Sequence, residues 1–256
     1  IIMLKYFNIY ILIGVLLLFP FVYNSNSDEY EKRYSSSITR MSLSCASARS
    51  CSGKFLGVPY KSNTLIGSKN TPEKFVINLE GMDCFTYIDY VHSLILSQDY
   101  YDFVDFLKLT RYQHGVVSFT TRNHFFYDWS LYVEGVDDVT KQIRGNKVTT
   151  VQKKLNMKSD SSVFLEGIPI REVEISYIKS KFITTVYLEK MRSGDYVGIY
   201  SEKEGLDVSH VGILIKRLGT YYFRHASSIE GKVVDVDFIE YIKDKPGIIV
   251  YRYYDL

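Results

Sequence analysis

Cys84, His210 and His225 are the residues whose types and order could carry a reaction in this chain. A cysteine thiolate is a strong nucleophile, but it needs a base to take its proton. That base in turn needs a third group to fix its tautomer. In chain order the three residues fit these roles. Cys84 attacks, His210 takes the proton and later returns it to a leaving amine, and His225 orients His210. Asp207 or Asp195 could orient the base instead. The chemistry is hydrolysis of an amide through a thioester, and no step in it needs a metal or a cofactor. A zinc site made from the same three side chains would lack a recognisable fourth ligand and a Cys-x-x-Cys pair.

Such a set works only if local structure brings it together. Asp83 to Ser97 reads as a helix, because Cys84, Ile88, Val91 and Ile95 recur on one face. Asp83 is its expected N-cap, and Cys84 falls in the first turn. Free backbone N–H groups and the helix dipole there favour an anion, so the thiol is expected to have a lowered pKa. The N–H of Cys84 could also receive an oxyanion. Further on, Ser209–Ile215 and Tyr221–Ser227 flank a short turn containing Gly219 and read as a hairpin. If Lys216 pairs with Tyr221, Gly212 lies opposite His225, with His210 diagonal to it. A register shifted by two residues sets the histidines directly opposite. Both arrangements put the imidazoles on one face.

A second helix is expected over Tyr100–Leu109. Strands are expected at Phe182–Tyr187, Asp195–Tyr200, Val211–Ile215, Tyr221–His225 and Ile248–Tyr253. Helices first and an antiparallel meander afterwards make an α+β fold, with the nucleophile helix packed on the sheet. Residues 110–181 read as mixed short elements.

The segments Phe55-Leu56-Gly57-Val58-Pro59-Tyr60, Gly81-Met82-Asp83-Cys84, Ser209–Ile213 and Phe223–Ser227 resemble the NlpC-type peptidoglycan hydrolases. That resemblance implies a papain-like fold and a Cys-His-His set of Cys84, His210 and His225. It also implies cleavage of an amide bond in the peptide stems of the bacterial wall, and places Tyr60 near the oxyanion, although a core ring is the other reading of Tyr60. Compact members carry Ser and Gly after the cysteine, whereas Phe85 and Thr86 follow here, and the span from Cys84 to His210 is longer. Both features, with Thr121–Trp129, are similar to the N-acetylmuramoyl-L-alanine amidase-like branch. The bond between muramic acid and L-Ala is therefore the expected target. A stem-peptide endopeptidase, and a protease or acyltransferase acting on protein or lipid, are the alternatives. Asp83, His124 and Trp129 are expected to help bind substrate, whereas His92 reads as solvated and His114 as part of a loop.

The net charge of +2, without a Lys/Arg stripe, argues against nucleic acid. Lys5, the apolar run Ile9–Phe19 and the polar stretch Asn24–Ser27 read as a signal peptide or an N-terminal anchor over residues 1–27. Export to the periplasm or cell envelope follows, with membrane contact only if that segment is uncleaved. Residues 28–52 read as a linker or a first irregular helix, and 53–256 as the catalytic domain. Cys45 and Cys51 could pair or remain separate thiols; either way Cys84 is the odd one. The expected partner is a muropeptide or peptidoglycan strand, and nothing in the sequence requires a second subunit, so a monomer is expected.

Overall fold

Runs of β-branched and aromatic residues build most of the second half of the chain into strands, the central ones buried on both faces, and helices fill most of the first half. The computed structural model describes residues 25–254 apart from Ala46, so the assigned export segment lies outside it except for Ser25, Asn26 and Ser27. The chain begins with α1 (Ser25–Leu43), α2 (Ala48–Gly53), β1 (Ile66–Ser68) and β2 (Thr71–Lys74). It continues with α3 (Cys84–Leu96), α4 (Tyr100–Arg111), α5 (Phe126–Tyr132), β3 (Val136–Asp138) and α6 (Thr140–Arg144). Next come β4 (Thr149–Leu155), β5 (Arg171–Lys179), α7 (Thr185–Lys190) and β6 (Tyr196–Tyr200). The last elements are β7 (Val208–Arg217), β8 (Thr220–Ser227), β9 (Lys232–Asp237), α8 (Phe238–Ile242) and β10 (Gly247–Tyr253).

The main sheet runs β4-β5-β10-β6-β7-β8-β9, with β3 added beside β10, and its pairs are antiparallel. Alternating residues feed two cores. Tyr196, Val211, Ile213 and Tyr251 pack with α1 to α5 on one face. Val197, Leu214, Phe223 and Val250 pack with α6, α7 and α8 on the other. This is the expected α+β architecture.

Three expectations need correction. Phe182–Tyr187 is not a strand: Ser180–Phe182 is a 3-10 turn and α7 follows, burying Leu188. Its β-branched residues favour a strand only where a sheet edge is there to receive them. Of the two readings of residues 28–52, the helical one holds and the linker does not. These residues fold as α1 and α2, with Tyr34, Ile38 and Cys51 in the first core. Arg224 on β8 anchors this region by donating to Arg49 O at 3.0 Å and Ser52 Oγ at 3.1 Å. Cys45 and Cys51 form a disulfide, leaving Cys84 as the free cysteine. Finally, α3 is not one-sided: every residue from Thr86 to Leu94 is buried, so His92 is sealed inside rather than solvated.

Candidate active site

Asp83 starts α3 as the sequence predicts. Its Oδ1 accepts from Phe85 N at 3.1 Å, Thr86 N at 2.8 Å and the Thr86 hydroxyl at 2.8 Å. Thr86 Oγ1 in turn accepts from Asp83 N at 3.0 Å, which closes a capping box. The cap fixes Cys84 in the first helical turn, where α3 packs on β7 and β8. The thiol lies against the backbone N–H groups of Val211, Cys84 and Phe85, which favour the thiolate. Burial opposes them more strongly, and the Asp83 carboxylate adds to it, so the thiol is pushed up to about 12. The expected lowering at a helix N-terminus is therefore overturned: loss of solvent outweighs the dipole.

The β7–β8 hairpin takes the first of the two expected registers, with Lys216 opposite Tyr221 and Ile213 opposite Arg224. His210 and His225 then project from one face, with Nε2 of His210 2.7 Å from Nδ1 of His225. Gly212 makes room as expected, but for the Phe223 ring: a Cβ there would stand 2.6 Å from it. Phe223 stacks on His225 at 4.8 Å and fixes its plane. Burial, then His225 and Lys245, pull His210 down to about 3. Burial likewise takes His225 down to about 4, against the pull of Asp235. Burial thus favours the neutral form of the thiol and of both imidazoles. Neither alternative orienting residue serves His210. Asp195 is held by Arg252 at 2.7 and 2.8 Å, and Asp207 accepts from the backbone of Tyr127 and Val208.

Tyr60 is placed beside this site by a bridge to Met82 and by its N–H donating to Gly231 O at 2.8 Å. Burial, with Cys84 and Asp83 nearby, raises its phenol. Sequence reading missed Tyr241. From α8 its ring faces His225 at 5.0 Å and His210 at 6.3 Å, and burial with the neighbouring Cys84 pushes its phenol up to about 12. Lys245 lies 5.5 Å above that ring. Their only signal was an aromatic and a lysine four residues apart after the last expected hairpin.

Two assigned substrate residues are placed differently. Trp129 is fully buried, donates from Nε1 to Asp89 Oδ1 at 3.3 Å, and packs on Tyr196. It is a core residue, because α5 turns that face inward. His124 is half-buried, with Nε2 2.7 Å from Phe119 O, and burial takes it down to about 4. Asp83, by contrast, lines a cavity of about 420 Å³ with Lys69, Phe119, Arg122 and Glu166. Among the described residues no cluster of His, Cys, Asp and Glu is arranged to hold a metal.

A cysteine-bearing helix start set against a histidine-bearing antiparallel sheet in an α+β fold is the arrangement that the comparisons with known proteins address. The chain belongs to the N-acetylmuramoyl-L-alanine amidase-like family, which it matches over residues 50–248. It is similar to the crystal structure of an N-acetylmuramoyl-L-alanine amidase from Bacteroides uniformis, at 25% identity and a TM-score of 0.67, covering 82% of this chain and 99% of that one. A Legionella pneumophila structure is 25% identical with a TM-score of 0.71, covering 90% and 97%. A Bacteroides fragilis structure described as a candidate xylanase is 27% identical with a TM-score of 0.66, covering 80% and 99%. Among curated proteins none matches.

Proposed function

We propose that this chain is an exported cysteine amidase that cleaves peptidoglycan between the lactyl group of muramic acid and L-Ala, through a papain-like Cys-His-His site. The observation that carries this reading is the 2.7 Å contact between His210 and His225 on the two strands against which the Cys84-bearing α3 packs, with Tyr241 neighbouring both the thiol and the two imidazoles. The contact engages Nε2 of His210 and leaves Nδ1 for the thiol proton. Because burial favours the neutral form of both groups, the proton moves as the sulfur attacks the lactyl carbonyl carbon. The oxyanion that forms is met by the Cys84 N–H, with the Tyr60 hydroxyl close by. His225 Nδ1 accepts from Nε2–H of the new imidazolium. Collapse breaks the C–N bond as His210 returns the proton to the L-Ala nitrogen, releasing the stem peptide. Water, deprotonated by His210, then opens the thioester and frees Cys84. The cavity that Asp83 lines carries Lys69 and Arg122, which give the carboxylates of a peptide stem two cationic partners, with Glu166 as the opposing charge. No cofactor is required, and the reaction needs one copy of the chain.

Export is supported by the basic-apolar-polar start of the sequence and by the Cys45–Cys51 disulfide, a bond typical of oxidising compartments. A glycosidase reading, which the xylanase description would favour, needs two carboxylates across the scissile bond. Asp83, the carboxylate beside the thiol, already caps α3 through Oδ1. The test is mass spectrometry of muropeptides incubated with the protein. Free stem peptide, absent with His225→Ala and partly restored with His225→Gln, is the expected result. A dipeptide left on the sugar would establish an endopeptidase, and shortened glycan chains a glycosidase.

A further inference from the structure

Away from Cys84 lies a cavity of about 390 Å³ between the C-terminal half of α3, α4 and the chain leaving α5. Leu96, Phe106 and Val133 give it an apolar wall, with Thr110, His114 and Glu134 as polar members of the lining. Leu109 and Leu131 also line it, yet they are 48% and 53% exposed, so they form an apolar mouth open to solvent. His92 also lines the cavity and is 0% exposed. Its Nδ1 is 2.9 Å from the Tyr196 hydroxyl, while its Nε2 has no hydrogen-bond partner. A buried polar atom without a partner is destabilising, and a ligand that bonded to it would remove that cost.

The tautomer follows from the phenol. Tyr196 is fully buried and its pKa is raised well above the ordinary value, so its hydroxyl stays protonated. Of the two directions that this contact allows, the one in which the Tyr196 hydroxyl donates gives its hydrogen an acceptor in Nδ1 and puts the imidazole hydrogen on Nε2. Burial keeps the ring neutral, so it offers a dipole and no charge. Glu134 on the same lining disfavours an anion. We propose that this cavity is a second binding site, for a small neutral molecule with an apolar body and one carbonyl oxygen that accepts from His92 Nε2. The site shares α3 with Cys84 but none of the Cys84–His210–His225 set, and it stands whether or not the chain is an amidase.

Acetophenone is a suitable probe, with ethylbenzene as its near-isostere lacking the acceptor. Titration of the full chain, followed by NMR of the His92 imidazole and the Leu131 methyls, should give saturable shifts with acetophenone. Ethylbenzene should bind about fivefold more weakly, as loss of one hydrogen bond implies. Leu131→Trp fills the mouth from an exposed position, and should abolish the shifts while leaving the thermal midpoint unchanged. His92→Phe should bring acetophenone down to the affinity of ethylbenzene. Absence of saturation up to the solubility limit, equal binding of the two probes, or binding untouched by Leu131→Trp would each overturn the proposal.

Discussion

Helix α3 presents polar groups in two stretches that behave differently. Its first turn holds Asp83 and Cys84, both half-buried, and backbone N–H groups are the partners of the thiol. The next turns hold Asp89 and His92, sealed among side chains of their own kind. Asp89 accepts from Arg111 at 3.0 Å and from Trp129 at 3.3 Å, and His92 meets Tyr196. The difference lies in the partners. Backbone donors hold the sulfur in place without consuming it, whereas the Arg111 guanidinium occupies Asp89 and fixes α3 to α4. Polar residues on one helix thus divide into a stretch that can react and a stretch that holds it in position.

The largest effect that can break this comparison falls on the first turn. Cys84→Ala should lower release of stem peptide by 10⁴-fold or more, an order of magnitude typical of removing a covalent nucleophile. Its urea midpoint should stay close to wild type, since Ala keeps the helix start and the Asp83 cap that fix this turn. His210→Ala should lose nearly as much, and the double variant little more, because the two act as a unit. Residual turnover within tenfold of wild type would remove Cys84 from the chemistry and leave the two stretches alike.

The inner stretch should respond in the opposite sense. Arg111→Leu leaves the Asp89 carboxylate buried and unpaired, since both side chains are 2% exposed or less. The expected loss is about 3–5 kcal/mol of stability by urea denaturation. Combining it with Asp89→Leu should recover part of that loss, because the stranded charge goes too. If Arg111→Leu instead lowered activity with stability intact, Asp89 and Arg111 would belong to the reacting stretch.

How much of this was legible follows the same division. The α3 cap and the meeting of His210 with His225 depend on local spacing and were legible in the sequence, which also narrowed the β7–β8 register to two choices. Trp129 and His92 were misplaced because their positions depend on what packs around α3 and α5. A single helical face implied one core, whereas α3 is enclosed by α2, α4 and the sheet. Tyr241 was invisible for a related reason, since β9 separates it in sequence from the hairpin it covers. The thiol pKa was misjudged because a dipole can be read from a helix start, but burial cannot.

Burial also sets the response to acid. His92 and His210 are held near 3 and His124 and His225 near 4 in the folded chain, each with burial as the leading cause. The unfolded chain protonates them near pH 6.5. Between those values the unfolded state binds more protons, so stability is complete above about 6.5 and falls as the pH drops toward 3. The urea midpoint should therefore decline from pH 7 to pH 5, and Leu could replace His92 to reduce the slope. A midpoint constant over that range would mean that the histidines are solvated in the folded protein.

The smallest effect tests the first turn alone. Asp83 has two separable influences there: it caps α3, and its charge raises the thiol. Asn caps about as well as Asp, whereas Ala forfeits about 1 kcal/mol. Asp83→Asn should thus hold the stability of the wild type, and Asp83→Ala should lose about 1 kcal/mol by urea denaturation. Both remove the carboxylate, so both should make Cys84 react faster with iodoacetamide at pH 8, as its thiolate fraction grows. Because the two variants share the charge change but differ in the cap, a faster reaction in both assigns the thiol's reluctance partly to Asp83. Unchanged alkylation in Asp83→Asn would mean that burial alone keeps the thiol protonated, and faster alkylation in Asp83→Ala only would trace its reactivity to fraying of the first turn.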